Sequence, residues 1–179
     1  MKELFYQYIV SLYQGVPVWV YEGLLSVFCV GAVLIVAIKG LRKGWRYVSA
    51  LLLIEYVFLL YGSTVIFRTA SEMVQYNFHP FWSYAAIQQG REFLVPENIM
   101  NVIVFMPVGA LLGIVFRSIR WWQVLFIGCG ISVSIEALQF FTHRGFSEFD
   151  DVFHNTLGCV IGYLIVASKC GQTFDSRKS

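Results

Sequence analysis

The sequence predicts an all-α integral membrane protein: a bundle of about five transmembrane helices, with an aromatic outer loop and a short interfacial helix between spans two and three. Three observations lead there. The 179 residues are 58% hydrophobic and only 13% charged, whereas a soluble domain carries about 25% charged residues and has no core large enough to hide so much apolar surface. Five stretches approach the roughly 20 apolar residues that cross a bilayer as a helix. Trp19, Trp45, Trp121 and Trp122 fall at the ends of those stretches, where aromatic rings anchor a helix at the membrane–water boundary.

The spans are expected at Val18 to Ile38, Tyr47 to Phe67, Asn98 to Phe116, Trp122 to Phe141 and Val152 to Ala167. The fifth is short and must rely on flanking residues or little tilt. Pro107 removes one backbone hydrogen bond from the third span and is expected to kink it. Gly109 and Gly113 on that span, and Gly158 and Gly162 on the fifth, are small-xxx-small pairs that let helix backbones approach closely. Residues 1–17 are read as an interfacial N-terminal segment and residues 18–179 as one domain. No cleavable signal is evident, because no basic stretch or small-x-small site accompanies the first apolar run. The loop from Arg68 to Glu97 is long for a connector, at about 30 residues. Asn77, Pro80 and its aromatics read as a turn on the membrane surface, with Pro80 starting a short amphipathic helix that could roof whatever lies beneath.

Basic residues set the orientation. Lys39, Arg42, Lys43, Arg46, Arg117, Arg120, Lys169, Arg177 and Lys178 place nine on one side, and Lys2, Arg68, Arg91 and Arg144 place four on the other. The expectation is a multi-pass protein of the bacterial plasma membrane, with its N-terminus outside and its C-terminus in the cytoplasm. A net charge of +2, with no basic stripe among stacking aromatics, argues against nucleic acid as a partner. Cys29, Cys129, Cys159 and Cys170 form no CxxC pair, so they read as small apolar packers rather than a disulfide frame or thiolate metal site. No metal and no cofactor is expected.

Glu136 is the costliest residue in the chain. An ionisable group at the centre of a membrane helix costs about 2.5–3.5 kcal/mol even on lenient scales. Orientation gives it company. Arg68 stands at the outer end of span two, and Asn98 and Asn101 open span three. Glu136 and Gln139 lie near the outer end of span four, and Arg144, Asp150 and Asp151 follow in the hinge. His154 and Asn155 lie in the first turn of span five. Pairs three or four apart share a helix face, so these ten residues are expected to converge at one depth as a ligand-binding site. The bland readings are an inter-helix polar clamp for the asparagines and Gln139, a solvated turn and helix N-cap for the aspartates, and an idle interfacial histidine. Glu55, mid-way along span two, stands apart from the group.

These blocks resemble the VanZ-like family of small bacterial membrane proteins. Asn77 to Phe81 (NFHPF) is similar to its N-x-x-P-F segment, and Asn98 to Gly113 to its N-x-x-x-F-x-P-x-G block. Ile135 to Gln139 (IEALQ), Arg144 and the D-D-x-x-x-N-x-x-G-x-x-x-G run from Asp150 to Gly162 complete the resemblance, which spans Arg68 to Gly162. It implies a Gram-positive envelope protein associated with low-level resistance to teicoplanin and related lipoglycopeptides, without alteration of the peptidoglycan stem peptide.

Three functions compete. The first is a non-enzymatic outer-leaflet site for an amphiphile, either the lipid-tailed antibiotic or a lipid-linked cell-wall precursor, with membrane lipid as its surroundings. The second is a hydrolase or transferase acting on a lipid-linked envelope substrate through Glu136, Asp150 and Asp151. Against it, no histidine-rich metal motif, phosphate-cradling glycine loop or activated serine appears. The third is transport of an ion or small molecule. Against that, the polar groups other than Glu55 stop at the outer third.

Overall fold

The computed structural model describes Tyr6 and residues 15–169, with the side chains of Arg42 and Lys169 excepted. Most of the interfacial segment expected at 1–17 lies outside the described residues, as do Lys2, Cys170, Arg177 and Lys178.

Five long helices carry the fold: α1 (Val18–Lys39), α2 (Leu41–Tyr61), α4 (Leu94–Val115), α5 (Trp121–Thr142) and α6 (Phe149–Lys169); the short α3 (Trp82–Gln88) lies between α2 and α4. All five are long and apolar enough to cross a membrane. Many large hydrophobic side chains on these helices are exposed, among them Val27, Val30, Ile54, Phe126 and Phe141, as a lipid environment favours. The four tryptophans at their ends are exposed.

α4 and α6 form the central pair, α5 packs on α6, α2 on α4, and α1 on α2. The glycine pairs explain the intimacy of the centre. A Cβ on Gly158 would collide with the Val102 carbonyl, on Gly162 with the Met106 carbonyl, and on Gly109 with the Cys159 carbonyl. Leu60, Phe105, Val108, Leu112, Val124, Ile135 and Tyr163 fill the core where α2, α4, α5 and α6 meet. Cys159 is buried there, while Cys29 is exposed on α1 and does not pack as expected.

Three expected boundaries shift. The fifth helix is not short: it starts at Phe149 and spans 21 residues. Its first turn holds Asp150 and Asp151, whose carboxylates find donors on neighbouring elements, so the helix need not stop short of them. α4 begins at Leu94 and runs unbroken through Pro107. The loop helix begins at Trp82 rather than Pro80, because Phe81 adopts a left-handed conformation (φ 60°) that interrupts the helix between them.

α2 does not end cleanly. Gly62–Ile66 continue it as a π-helical turn, closed by the Phe67 amide on the Gly62 carbonyl at 3.0 Å. Beyond it, the loop between α2 and α4 folds onto the bundle. Tyr76 and Phe78 pack on Phe140 of α5, and Phe81 packs on Phe153 of α6. Asn77 forms the expected turn, its side chain accepting the His79 amide at 3.1 Å. Two three-residue strands that hydropathy did not signal, β1 (Gln75–Asn77) and β2 (Phe146–Glu148), pair in parallel. That pairing satisfies backbone groups of both loops beside the bundle.

Candidate functional site

One end of α2, α4, α5 and α6, with Tyr21 of α1, lines a cavity of about 170 Å³. Its lining combines apolar residues (Leu59, Leu60, Val104, Phe105, Ile135) with polar ones.

Helical geometry supplies each polar wall residue. On α4, Glu97, Asn101, Val104 and Phe105 form one face at the 3.6-residue repeat. On α5, Ile135, Glu136 and Gln139 face inward, and on α6 Asp151 and Asn155 sit four apart. The π-helical turn contributes Ser63 and Thr64, and Arg68 follows it.

The π turn also leaves carbonyls that no helix amide takes up, as at any helix C-terminus. Arg68 Nε donates to the Ser63 carbonyl (3.2 Å), Gln139 Nε2 to that of Thr64 (3.2 Å), and Arg144 Nη1 to that of Ile66 (2.9 Å). Two of these donors are cations at the negative end of a helix dipole, where positive charge is favoured. Gly145 (φ 110°) lets the hinge pass close by: a Cβ there would stand 2.9 Å from Arg68 Nη1 and from Gln139 Nε2.

The carboxylates are held as firmly. Glu136 Oε2 accepts the Glu148 amide at 2.8 Å, and Ser147 Oγ donates to the Glu136 carbonyl at 3.0 Å, tying α5 to β2. Asp151 Oδ1 accepts Asn101 Nδ2 at 2.7 Å, tying α6 to α4. Asn155 Nδ2 donates to Ser132 Oγ at 2.8 Å. Asp151 and Glu148 are near enough to Glu136 to act on it electrostatically, and Arg68 acts likewise on Glu97 and Asp151. Glu148 sits on β2, at the rim. Burial, with the Asp151 and Glu97 charges, pushes its carboxyl up to about 8, against the smaller opposing pull of the Trp82 indole N–H.

The family profile described as VanZ/LLP1 matches residues 45–169. The chain belongs to the VanZ/LLP1 family. All of the cavity wall except Tyr21 lies within the matched segment. The chain is also 35% identical over 66 residues to Protein VanZ of Enterococcus faecium, a match covering 37% of this chain and 41% of that protein. The match thus spans about two fifths of that relative's length. No solved structure matches the chain.

Within this VanZ/LLP1 fold, six of the ten residues singled out from the sequence line the cavity: Arg68, Asn101, Glu136, Gln139, Asp151 and Asn155. The structure places the other four in the scaffold. Asp150 is fully buried and accepts the Phe81 amide (2.5 Å), the Ser83 amide (2.9 Å) and Ser83 Oγ (2.5 Å), so it caps α3 rather than its own helix. Asn98 points the same way, donating to Ser83 Oγ at 3.1 Å. His154 Nε2 meets Tyr84 Oη at 2.8 Å. Arg144 closes the end of the π turn. Together these four hold the loop helix and the hinge in place around the cavity.

Sequence reasoning missed Glu97, Tyr56, Ser63 and Thr64. Glu97 stands four residues before Asn101 and Asn98 three before it, so both share its face; packing puts Glu97 in the cavity wall and Asn98 on Ser83. Tyr56, whose hydroxyl donates to the Val104 carbonyl at 2.7 Å, carried no such signal. Glu55 is buried but does not line the cavity, and its Oε1 has no hydrogen-bond partner.

Proposed function

We propose that this protein binds the polar head of an amphiphile in the outer leaflet of the bacterial plasma membrane, without chemical change to it. Binding of this kind would contribute low-level resistance to teicoplanin and related lipoglycopeptides by altering the drug's access to its target. The observation carrying the reading is the cavity itself. One arginine and three carboxylates share a pocket with aliphatic and aromatic side chains, the mixture that a head group joined to a tail requires. The nine-to-four split of basic residues supports placing that end of the bundle outside, with the C-terminus in the cytoplasm. The occupant is a membrane lipid, the lipid-tailed antibiotic or a lipid-linked wall precursor, each of which offers an anionic group to a guanidinium.

The test is drug susceptibility. A sensitive Gram-positive host expressing the chain is expected to tolerate more teicoplanin, and Glu136→Gln and Asp151→Asn at equal membrane levels are expected to abolish the gain. Unchanged tolerance in both variants refutes the reading.

A second reading has its own observation. Glu136 and Asp151 line one cavity, the minimum for an acid–base pair acting on a lipid-linked substrate. Turnover of such a substrate by purified protein, lost in both variants, would favour hydrolysis or transfer over binding.

A further inference from the structure

We infer that the cavity selects a zwitterion: an anionic group seated on Arg68 and a primary ammonium directed at Gln139 and Asp151. This rests on the binding reading above and names the chemistry of its ligand.

Charge disfavours the simpler ligands. Among the described residues, Arg68 is the one basic side chain in the wall, and Glu97, Glu136 and Asp151 are the acids. A purely anionic ligand would meet Arg68 but lie against carboxylates in a medium of low dielectric, where like charges repel strongly. A purely cationic ligand would meet the carboxylates but lie against the guanidinium. A ligand bearing both charges satisfies both walls at once.

Hydrogen bonding sharpens this. Arg68 makes one hydrogen bond to the described residues, from Nε, so both Nη groups remain for a planar anion. Asp151 has Oδ1 engaged by Asn101, which leaves Oδ2 as an acceptor. The deciding atom is Gln139 Oε1. Gln139 is 6% exposed and lines the cavity, its Nε2 is fixed on the Thr64 carbonyl, and its Oε1 has no hydrogen-bond partner among the described residues. A buried acceptor left without a donor costs about 1–3 kcal/mol. A primary ammonium supplies the missing N–H, whereas a trimethylammonium has none to give. The volume agrees: about 170 Å³ exceeds the ~150 Å³ cavity that admits a benzene ring. It suits a phosphoethanolamine head or the zwitterionic end of an amino acid.

The protein can be tested in nanodiscs holding equal phosphatidylethanolamine, phosphatidylcholine and phosphatidylglycerol of identical chains. Native mass spectrometry then reads the lipid retained on release. At least threefold preference for phosphatidylethanolamine over phosphatidylcholine is expected. Gln139→Met should bring the two to parity, and Arg68→Gln should strip retained lipid altogether. The wild-type comparison stands even if neither variant folds.

A parallel thermal-shift series identifies the source. Stabilisation by alanine, but not by ethanolamine or inorganic phosphate, with no retained phosphatidylethanolamine, marks a free zwitterion and supports the same chemistry. Equal retention of ethanolamine and choline lipids without any zwitterion-specific thermal shift, or preference for phosphatidylglycerol, overturns the zwitterion. The binding reading survives that result if some amphiphile is still lost on Arg68→Gln. If no ligand responds to Arg68→Gln, both fall.

Discussion

Replacing Asp150 with alanine is expected to unlatch the loop between α2 and α4 while leaving the five membrane helices in place. Its carboxylate takes the Phe81 and Ser83 amides and the Ser83 hydroxyl. Alanine leaves two backbone donors without an acceptor, at about 1–3 kcal/mol each when buried. Ser83 Oγ keeps its bond from Asn98 and adds little. Water entering the vacated space recovers part of the loss, so the local cost is about 2–4 kcal/mol, somewhat above the ~0.5–2 kcal/mol of an ordinary helix cap. At about 1.4 kcal/mol per decade, the Phe81 and Ser83 amides should exchange hydrogen roughly 30- to 1,000-fold faster. Hydrogen–deuterium exchange on protein in nanodiscs measures this directly, with amides of α4 and α6 as internal controls. Acceleration below threefold at residues 81–83 would refute the assignment of Asp150 to the scaffold. So would equal acceleration throughout α6, which would mean that the residue supports the bundle as a whole.

Other perturbations bear on separate parts of the structure. Arg144→Gln removes a charged donor from the Ile66 carbonyl and should lower stability by about 1.5–3 kcal/mol, read as a reduced midpoint of denaturation in detergent. Gly158→Ala drives a methyl group into the Val102 carbonyl, and the forced separation of α4 and α6 should cost about 1–3 kcal/mol or more; an unchanged melting temperature would contradict the close helix contact. Glu148 has its carboxyl raised from 4.5 to about 8. The folded protein therefore binds more protons than the unfolded chain between those values, and stability should fall as pH rises through that window. Glu148→Gln should flatten that slope in melts collected from pH 4 to 9.

The membrane helices were legible in the sequence because their apolar runs match bilayer thickness, and α1, α2, α4, α5 and α6 differ from the expected spans chiefly at their ends. The convergence of Arg68, Asn101, Glu136, Gln139, Asp151 and Asn155 was legible too, since orientation and helical spacing bring them to one end of the bundle. What could not be read was the division of labour between neighbours. Asp150 and Asp151 are adjacent on α6, about 100° apart around the helix at 3.6 residues per turn. Which of them meets the loop helix and which meets the cavity depends on packing partners distant in the chain. The same holds for Asn98 against Glu97. Arg144 looked like a ligand group because the π-helical turn whose carbonyl it caps has no sequence signature. The β1–β2 pairing joins Gln75 to Phe146, and three-residue strands are too short to show an alternating pattern.

Photo-crosslinking from inside the cavity tests ligand binding most directly. Leu59 lines the wall and is partly exposed. Replaced by p-benzoylphenylalanine and irradiated in native membranes, it should capture an amphiphile, identified by mass, and capture should fall at least tenfold on adding Arg68→Gln or Asp151→Asn. Equal capture in all three backgrounds would show that the probe sees bulk lipid and that the polar wall holds nothing.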